Sequence, residues 1–536
     1  MRGKKSKRAQ EQSFSQRYLK VIGHILFATF CISILALSIR GIPGNPTDAD
    51  LNTLSWKDGG PLELSPERGR YALLYSMAEN HSFVFTDALA QFAAPDVAFT
   101  AGKYVSLFAP GVSFLALPGY MLGKHFGLAQ VGSFAVIAFF AILNVYLIRA
   151  IAIRLGAHPL AGTIASLAFI FASPAFSYAV TLYQHHISTF LILFSIYLLL
   201  RFNGVWSLIA VWILCAFSIV VDYPNFFLMA PIGIFALGKT IVLERRKGAI
   251  DINIPVLRVI AIFSVVIPLL FFFWFNKTSY GNPYQLSGTL ERVIEVNAKG
   301  KAVFESDIVK ARAKINPSLQ IPKKSALGFF QNRNLMTGFQ VLFLSTDRGL
   351  LVYTPIMLFG ILGLILAINK QNKYISLFVA ILGINILLYA MWDDPYGGWA
   401  FGARYLIPAY ALLSIYIAIA LSYLNKYNVF LLLFFIIFSY SVGVNTMGAI
   451  TSNRNPPKVE ADALEKVSHV KEEYTFIRNL NQLNDGKSKS YVYQTYAQNY
   501  ISAWNYYTYI TLFIIIVSAF LVLYYKESAK GENYAL

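Results

Sequence analysis

The segment SPERGRYALLYSMAEN, residues 65–80, contains a carboxylate and a guanidinium group one helical turn apart. The first suits acid–base chemistry and the second suits the binding of an anion. Ser65 favours an N-cap and Pro66 suits the first helical position, so the sequence predicts a helix that begins here. Glu67 and Arg70 then have the spacing i and i+3, which brings two side chains together on one edge of a helix. A carboxylate beside a guanidinium suits a base next to a phosphate-binding group.

A structural explanation of the same segment stays open. Tyr71 and Leu74 continue the edge that Glu67 and Arg70 begin, so the helix is predicted to be amphipathic and to lie on a membrane surface. A Glu in the first turn is also favoured by the helix dipole, and an interfacial Arg binds lipid headgroups without any catalysis.

The composition is that of a polytopic membrane protein. The chain has 536 residues, of which 56% are hydrophobic and 13% are charged, and its mean hydropathy is +0.54. The net charge of +18 is distributed over tails and short loops, which indicates membrane topology and no nucleic-acid partner. Cys31 and Cys215 both fall in apolar runs, so we expect no disulfide framework and no thiolate metal site.

About twelve apolar runs are long enough to cross a bilayer. They are 21–39, 128–148, 157–178, 186–201, 205–221, 225–243, 256–275, 350–368, 374–391, 405–423, 428–446 and 506–525. A further run, 107–122, is shorter and contains Pro and Gly, so it is either a thirteenth span or a re-entrant segment. The positive-inside rule favours the non-crossing alternative, because nearly every short basic loop then lies on the same side as the N-terminus.

This orientation predicts a multi-pass plasma-membrane protein with cytoplasmic N- and C-termini and an external active face. Residues 1–20 become a cytoplasmic basic tail, and residues 41–106, 276–349 and 447–505 become external loops. The predicted C-terminal spans are residues 426–536 and include the last external loop.

Further candidates lie where predicted spans meet the external side. Arg348 and Arg404 stand beside Gly-rich turns and suit either phosphate binding or membrane anchoring. His185 and His186 begin a span, where an imidazole suits a phosphate oxygen or an acceptor hydroxyl, but they lack the acidic partners of a metal site. Asp222 suits a sugar hydroxyl or the cap of the next span, and Tyr71 is a further candidate for substrate binding.

The segment WDDPYGG holds the residues best suited to a divalent cation. Asp393 and Asp394 supply adjacent carboxylates, and Asp393 is also a candidate substrate ligand. We nevertheless expect neither a metal ion nor a cofactor.

Several motifs together resemble the C-type (GT-C) membrane glycosyltransferases, most closely the protein mannosyltransferase and aminoarabinose transferase branch. After the first span come ERGRY (67–71) and then GKYVSLFAPG (102–111). Later segments are similar to a bacterial and archaeal subgroup: LYQHH (182–186), VDYPN (221–225), YGNPYQLSG (280–288), TDRGLLVYTP (346–355) and GGWAFGARYLIP (397–408). The resemblance extends from the first span to about residue 425. It implies a catalytic transmembrane module, residues 21–425, that includes the external loops 41–106 and 276–349.

The resemblance implies an all-α polytopic membrane protein with about 12 transmembrane helices, or 13 if 107–122 crosses, and an external amphipathic helix after the first span. It further implies a glycosyltransferase that takes a sugar from a polyprenyl-phosphate donor and passes it to a cell-envelope acceptor, with membrane lipids around it. In this family an external acidic residue acts as base and basic residues hold the phosphate. Carried over by motif, Glu67 is the base, and Arg70 and Lys103 lie near the phosphate.

This sequence differs from the family pattern at the residue assigned as the base. This chain has Glu67 where the better known branches have Asp, and Arg68 follows in place of a second acid. Three aspartates therefore remain alternatives: Asp48, Asp50 and Asp58. Two other classes of function also remain open, namely a transporter or flippase of lipid-linked sugars and a non-catalytic scaffold with the same fold.

Overall fold

The computed structural model describes residues 21–246, 249–253, 255–297, 301–308, 328–370 and 374–529. The predicted cytoplasmic tail lies outside the described residues. The described part of the chain is mostly helical and is that of an integral membrane protein.

The helices follow one another along the chain, with a 3-10 stretch inside α12 and a 3-10 turn, Arg404–Leu406, before α17. They are α1 Val21–Ser38, α2 Asp48–Leu51, α3 Ser65–Glu79, α4 Asp87–Ala93, α5 Gly111–His125, α6 Ala129–Arg154, α7 Pro159–Phe171, α8 Ala175–Ala179, α9 His185–Arg201, α10 Val205–Val221, α11 Asn225–Thr240, α12 Val256–Tyr280, α13 Leu335–Phe339, α14 Leu350–Tyr353, α15 Met357–Asn369, α16 Ile375–Ala390, α17 Ile407–Leu424, α18 Asn428–Ile450, α19 Lys458–Ser468, α20 Ile477–Asn484 and α21 Ala503–Ser528.

Six of these helices are long and apolar enough to cross a bilayer, and six shorter ones are apolar along their length. The long ones are α1, α6, α12, α17 with its preceding turn, α18 and α21; the shorter ones are α7, α9, α10, α11, α15 and α16. Each of the twelve apolar runs thus contains one apolar helix, whereas the number of helices that cross the bilayer stays a prediction. The uncertain run 107–122 forms α5, a helix of 15 residues.

Proline explains where two helices are shorter than their apolar runs. Pro355 ends α14 and delays α15, because proline lacks an N–H and disfavours helical backbone at the preceding residue. Pro174 similarly separates α7 from α8. Hydrophobicity continues across both prolines, so the apolar pattern alone overestimates the helix length.

The expectation of an all-α protein needs one correction. Five short strands form an antiparallel sheet in the order β1–β3–β2–β6–β7, and a separate hairpin joins β4 to β5. The strands are β1 Val84–Phe85, β2 Val97–Thr100, β3 Lys103–Ser106, β4 Val242–Arg246, β5 Ala249–Asn253, β6 Glu291–Val296 and β7 Ala302–Phe304. Because β6 pairs with β2, the first two long loops fold together. Strands of two to six residues give too short an alternation to stand out from loop sequence.

The helix α3 differs from the amphipathic surface helix that the sequence predicts. Residues 67–76 are all buried, so the helix has no continuous solvent-facing side. It packs against α4, α5 and the sheet. The N-cap is Leu64, not Ser65, and the Ser65 hydroxyl instead donates to Asp96 at 2.6 Å. The helix therefore holds its polar side chains in the interior of the protein.

Candidate active site

Glu67 is a fully buried carboxyl group on the first turn of α3. Apart from the backbone of Leu64, neither carboxylate oxygen has a hydrogen-bond partner among the described residues. Burial raises the pKa of Glu67 to about 8, and the nearby Glu63 adds to the increase, while Arg40 and Lys489 oppose it. A carboxyl group with that pKa is a stronger base than an ordinary one and is close to its ionisation point near neutral pH.

Arg70 lies one turn further along α3 and is also buried. Its Nη1 donates to the Pro66 carbonyl oxygen at 2.8 Å, and its buried Nε finds no acceptor among the residues that the structure describes. The guanidinium carbon lies 4.3 Å from the centre of the Phe108 ring and 5.7 Å from that of Tyr183. Arg70 is thus held by aromatic faces rather than by an ion pair.

Arg404 reaches the same tyrosine from the turn before α17. Its guanidinium carbon lies 5.1 Å from the centre of the Tyr183 ring, and its Nη2 donates to the Gly397 carbonyl oxygen at 2.6 Å. Apart from its contact with Tyr405, the buried Nε and Nη1 have no acceptor among the described residues. Gly397 has a φ of +73°, a left-handed conformation that glycine adopts without strain, so the turn brings its carbonyl to Arg404.

Tyr183 is the side chain that connects these groups. Its hydroxyl is buried without a partner in the described part of the chain. Burial raises the pKa of Tyr183, Glu67 adds to the increase, and Arg404 and Arg70 oppose it, so all three charges act on this one phenol. His185 stacks on Tyr183 with the ring centroids 5.7 Å apart, and its buried Nε2 likewise has no partner within the described ranges.

Asp222 is a second carboxyl group near these side chains. It accepts a hydrogen bond from Gln184 Nε2 at 3.2 Å. Burial raises the pKa of Asp222, and the charges of Arg70 and Arg404 act in the opposite direction. We call Glu67, Arg70, Tyr183, His185, Asp222 and Arg404 the central polar cluster. Its members come from α3, α9 and the segments just before α9, α11 and α17.

Buried N–H groups of Arg70 and Arg404 lack an acceptor among the described residues, although the carboxyl groups of Glu67 and Asp222 belong to the same cluster. Unsatisfied buried charge is costly. An anionic ligand would supply the missing acceptors. The arrangement suits an anionic group, such as a phosphate, near a buried carboxyl group.

Arg348 is a structural residue in this geometry. It is buried, and its guanidinium donates to four carbonyl oxygens, those of Asp347, Tyr396, Gly398 and Asn455, at 2.8–3.1 Å. These bonds tie the segment before α14 to the Gly-rich turn and to the last long loop. The geometry does not support its role in phosphate binding.

Four other predicted residues also lie apart from the central polar cluster. Lys103 is exposed at the start of β3, and Asp393 is exposed with its backbone N–H bonded to Phe329. Tyr71 is buried against Phe92 and Tyr120. His186 is buried among α6, α8 and α9, with its Nε2 2.7 Å from the Ala175 carbonyl oxygen, where it joins helices.

The three alternative aspartates have structural partners. Asp50 caps α2 through Thr47, Asp48 accepts from the Thr86 hydroxyl at 2.8 Å, and Asp58 forms an ion pair with Arg454 at 3.2 Å. Asp50 and Asp58 are also exposed. None of the three belongs to the central polar cluster.

Sequence reasoning missed a second buried group next to Glu67. Glu63 forms ion pairs with Arg40, at 3.0 Å, and with Lys489. One signal was present in the sequence. Arg40 lies at the end of the first span opposite the basic tail, where the positive-inside rule gives a basic residue no topological role.

Comparisons with known proteins find similarity only among solved structures: no protein-family model and no curated protein matches the sequence. The chain is similar to ArnT from Cupriavidus metallidurans in the apo state, with a TM-score of 0.46 and 12% identity over 96% of this chain and 78% of that one. The same enzyme bound to undecaprenyl phosphate gives a TM-score of 0.43 and 12% identity over 94% of this chain and 77% of that one.

A third similar structure is the archaeal oligosaccharyltransferase AglB from Archaeoglobus fulgidus, in complex with an inhibitory peptide and a dolichol-phosphate. Its TM-score is 0.42, with 14% identity over 85% of this chain and 58% of that one. This chain thus spans less than two thirds of AglB. ArnT and AglB belong to the superfamily that the sequence motifs resemble.

Proposed function

We propose that this protein is a glycosyltransferase that moves a sugar from a polyprenyl-phosphate donor to a cell-envelope acceptor at the external membrane face. Two lines support the proposal. The ordered motifs of the sequence resemble the GT-C glycosyltransferases, and the central polar cluster combines a carboxyl group with two incompletely bonded guanidinium groups. The acceptor is a lipid, a glycan or a protein.

The observation that carries the proposal is the position of Glu67. A buried carboxyl group with no strong hydrogen bond is destabilising, so its presence near Tyr183, which Arg70 and Arg404 both contact, needs a functional reason. Glu67 lies on the same helical edge as Arg70, and both residues act on Tyr183. A base and an anion-binding group therefore both lie close to Tyr183.

The proposed reaction uses these groups in defined roles. Glu67 accepts the proton of an acceptor hydroxyl, whose oxygen then attacks the anomeric carbon of the sugar. The bond between that carbon and the phosphate oxygen breaks, and the polyprenyl phosphate leaves with the added negative charge. Arg70 and Arg404 stabilise this charge, because their free N–H groups suit phosphate oxygens. His185 and Asp222 remain candidates for contacts with the sugar.

The experiment that tests the proposal measures the transfer or release of labelled sugar from a panel of polyprenyl-phosphate sugars by the purified full-length protein in detergent. We expect Glu67→Gln to lower the rate by about 100-fold or more, since a general base contributes about that much. Asp50→Asn and Asp58→Asn serve as matched controls and should keep most of the activity. Loss of activity in a control, with Glu67→Gln still active, would reassign the base.

The transporter and scaffold alternatives give different results in the same assay. A flippase moves the intact lipid-linked sugar across a liposome membrane without breaking the bond between sugar and phosphate. A scaffold binds the donor without cleavage, whatever acceptor is added. Cleavage that depends on Glu67 excludes both alternatives.

A further inference from the structure

Glu63 has every hydrogen-bond position of its carboxylate occupied. Its Oε1 accepts from Arg40 at 3.0 Å and from the backbone N–H of Asn453 at 2.6 Å. Its Oε2 accepts from the Ser452 hydroxyl at 2.8 Å and from Lys489. Burial alone would raise the pKa of Glu63, but Lys489 and Arg40 together lower it, so this carboxyl group is ionised.

The two cations come from distant parts of the chain. Arg40 follows α1, is fully buried, and also donates to the carbonyl oxygens of Ala449 and Gly448 at the end of α18. Lys489 belongs to the long loop 447–505, and its Nζ donates to the Gly60 carbonyl oxygen at 3.0 Å as well as to Glu63. The end of the first span, the start of α3 and the last loop thus meet at one carboxylate.

This network differs from an ordinary structural ion pair in its charge. Arg40 and Lys489 carry two positive charges, and Glu63 supplies only one negative charge. Glu67 follows Glu63 by four residues, and its backbone N–H donates to the carbonyl oxygen of the adjacent Leu64 at 3.1 Å, while Arg68 donates to the Glu63 carbonyl oxygen at 3.0 Å. At this position all three charges of the network act on the ionisation of Glu67. When Glu67 loses its proton the four groups become neutral together. The second positive charge therefore stabilises the ionised form of Glu67, whereas the negative charge of Glu63 destabilises it.

We propose that Glu63 and Lys489 are positioning residues that control the ionisation of Glu67 in opposite directions and make the last loop part of the active site. The role of Glu67 as base rests on the proposed function, but the control of its charge does not. Glu67 also lies near other titratable groups. Besides the network they are Arg68 on α3, Tyr178 on α8 and Tyr183 before α9.

The test is an infrared titration of the purified full-length protein without any donor. The band of the protonated carboxyl group of Glu67 is identified by its absence in Glu67→Gln, and its midpoint is followed with pH. We expect Glu63→Gln to move the midpoint to lower pH, by about one pH unit or more, because a repelling charge is removed. We expect Lys489→Met to move it to higher pH, because an attracting charge is removed.

Asp96→Asn is the matched control. Asp96 is a buried carboxylate that holds the first turn of α3 through Ser65 and forms an ion pair with Arg292, so its loss disturbs the same helix without changing the network. In Asp96→Asn the titration midpoint of Glu67 should match that of the wild type. Lys489 is partly exposed, so Lys489→Met leaves a smaller buried defect than Glu63→Gln and carries the test alone if the latter does not fold.

Unchanged midpoints in Glu63→Gln and Lys489→Met, or equal shifts in Asp96→Asn, would overturn the proposal. Opposite shifts in a protein that cleaves no donor would support the network and count against the proposed function. In an active enzyme, the pH profile of kcat/KM should move with the infrared midpoint. A purely structural role would lower the rate at every pH without moving the profile.

Discussion

Arg70 and Arg404 approach the same tyrosine ring, with guanidinium carbons 5.7 Å and 5.1 Å from the centre of Tyr183. Arg70 lies on α3, and Arg404 lies just before α17, much later in the chain. Their positive charges repel each other. Two cations held together in this way favour a ligand with negative charge, and this relationship is the basis of the first prediction.

Conservative replacement of either arginine should weaken the binding of a polyprenyl monophosphate. Arg70→Lys and Arg404→Lys keep the charge but lose the planar set of donors, so we expect the Kd to rise by between about 10-fold and 100-fold. Binding of undecaprenyl phosphate to the purified protein, measured by thermophoresis, checks this expectation.

Arg348→Lys provides the contrast for that measurement. Because Arg348 donates to four carbonyl oxygens, its replacement should lower the Tm while the folded protein binds the phosphate as the wild type does. A weaker affinity in Arg348→Lys, with both other variants unchanged, would transfer the phosphate site to Arg348.

The pH dependence of the reaction should follow Glu67. Burial raises the pKa of this group to about 8, so the ionised base is scarce at neutral pH and becomes abundant as pH rises. We expect kcat/KM to increase by about tenfold per pH unit below pH 8 and then to level off, because this parameter reports the free enzyme. A profile that is flat between pH 6 and about 9 would count against Glu67 as the base.

Glu67 should also reduce the stability of the protein as pH rises. The native carboxyl group keeps its proton up to about pH 8, whereas the unfolded one releases it near 4.5. Between these values the native state binds more protons, so stability falls with increasing pH and the full cost is present above pH 8. One pKa unit corresponds to about 1.4 kcal/mol, so the cost is on the order of a few kcal/mol.

Glu67→Gln should therefore be more stable than the wild type, and the difference in Tm should grow from pH 5 to about pH 9. Thermal unfolding in detergent, followed by intrinsic fluorescence, measures it. Asp58→Asn is the control, because Asp58 is exposed and its replacement should leave the difference nearly independent of pH. An equal Tm for Glu67→Gln and the wild type at every pH would contradict the burial of an unpartnered carboxyl group.

The close packing of α5 against α6 should affect both the stability of the protein and the position of Arg70. A Cβ added to Gly132 would lie 2.2 Å from the Gly119 carbonyl oxygen, so Gly132→Ala must push the two helices apart. The expected loss of stability is about 1–3 kcal/mol. Donor turnover should fall as well, because Ser113 on α5 donates to the Arg70 carbonyl oxygen at 2.8 Å.

Gly383→Ala is the matched control for this substitution. Gly383 is also a helical glycine, but an added Cβ meets open space there, so Ala should be neutral or stabilising by up to about 1 kcal/mol. Equal Tm values for the two variants would mean that α5 and α6 do not pack closely.

The sequence was sufficient for the helical membrane-protein class and for the positions of the apolar helices. Hydrophobicity in a bilayer is a local property of each run, so twelve runs yield twelve apolar helices without knowledge of their neighbours. The start of α3, to within one residue, and the order of Glu67, Arg70 and Tyr71 on it also follow from local rules. The roles of Glu67, Arg70 and Arg404 stay predictions.

Only the tertiary structure decided which polar residues lie together. Lys103 and Arg348 have the same charge and a similar local context to Arg70 and Arg404, yet one is exposed and the other is bonded to carbonyl oxygens. The pairing of β2 with β6, and of Glu63 with Lys489, joins segments that no local pattern connects. The environment of a charge depends on its burial and its partners, and these are set by contacts between residues far apart in the chain.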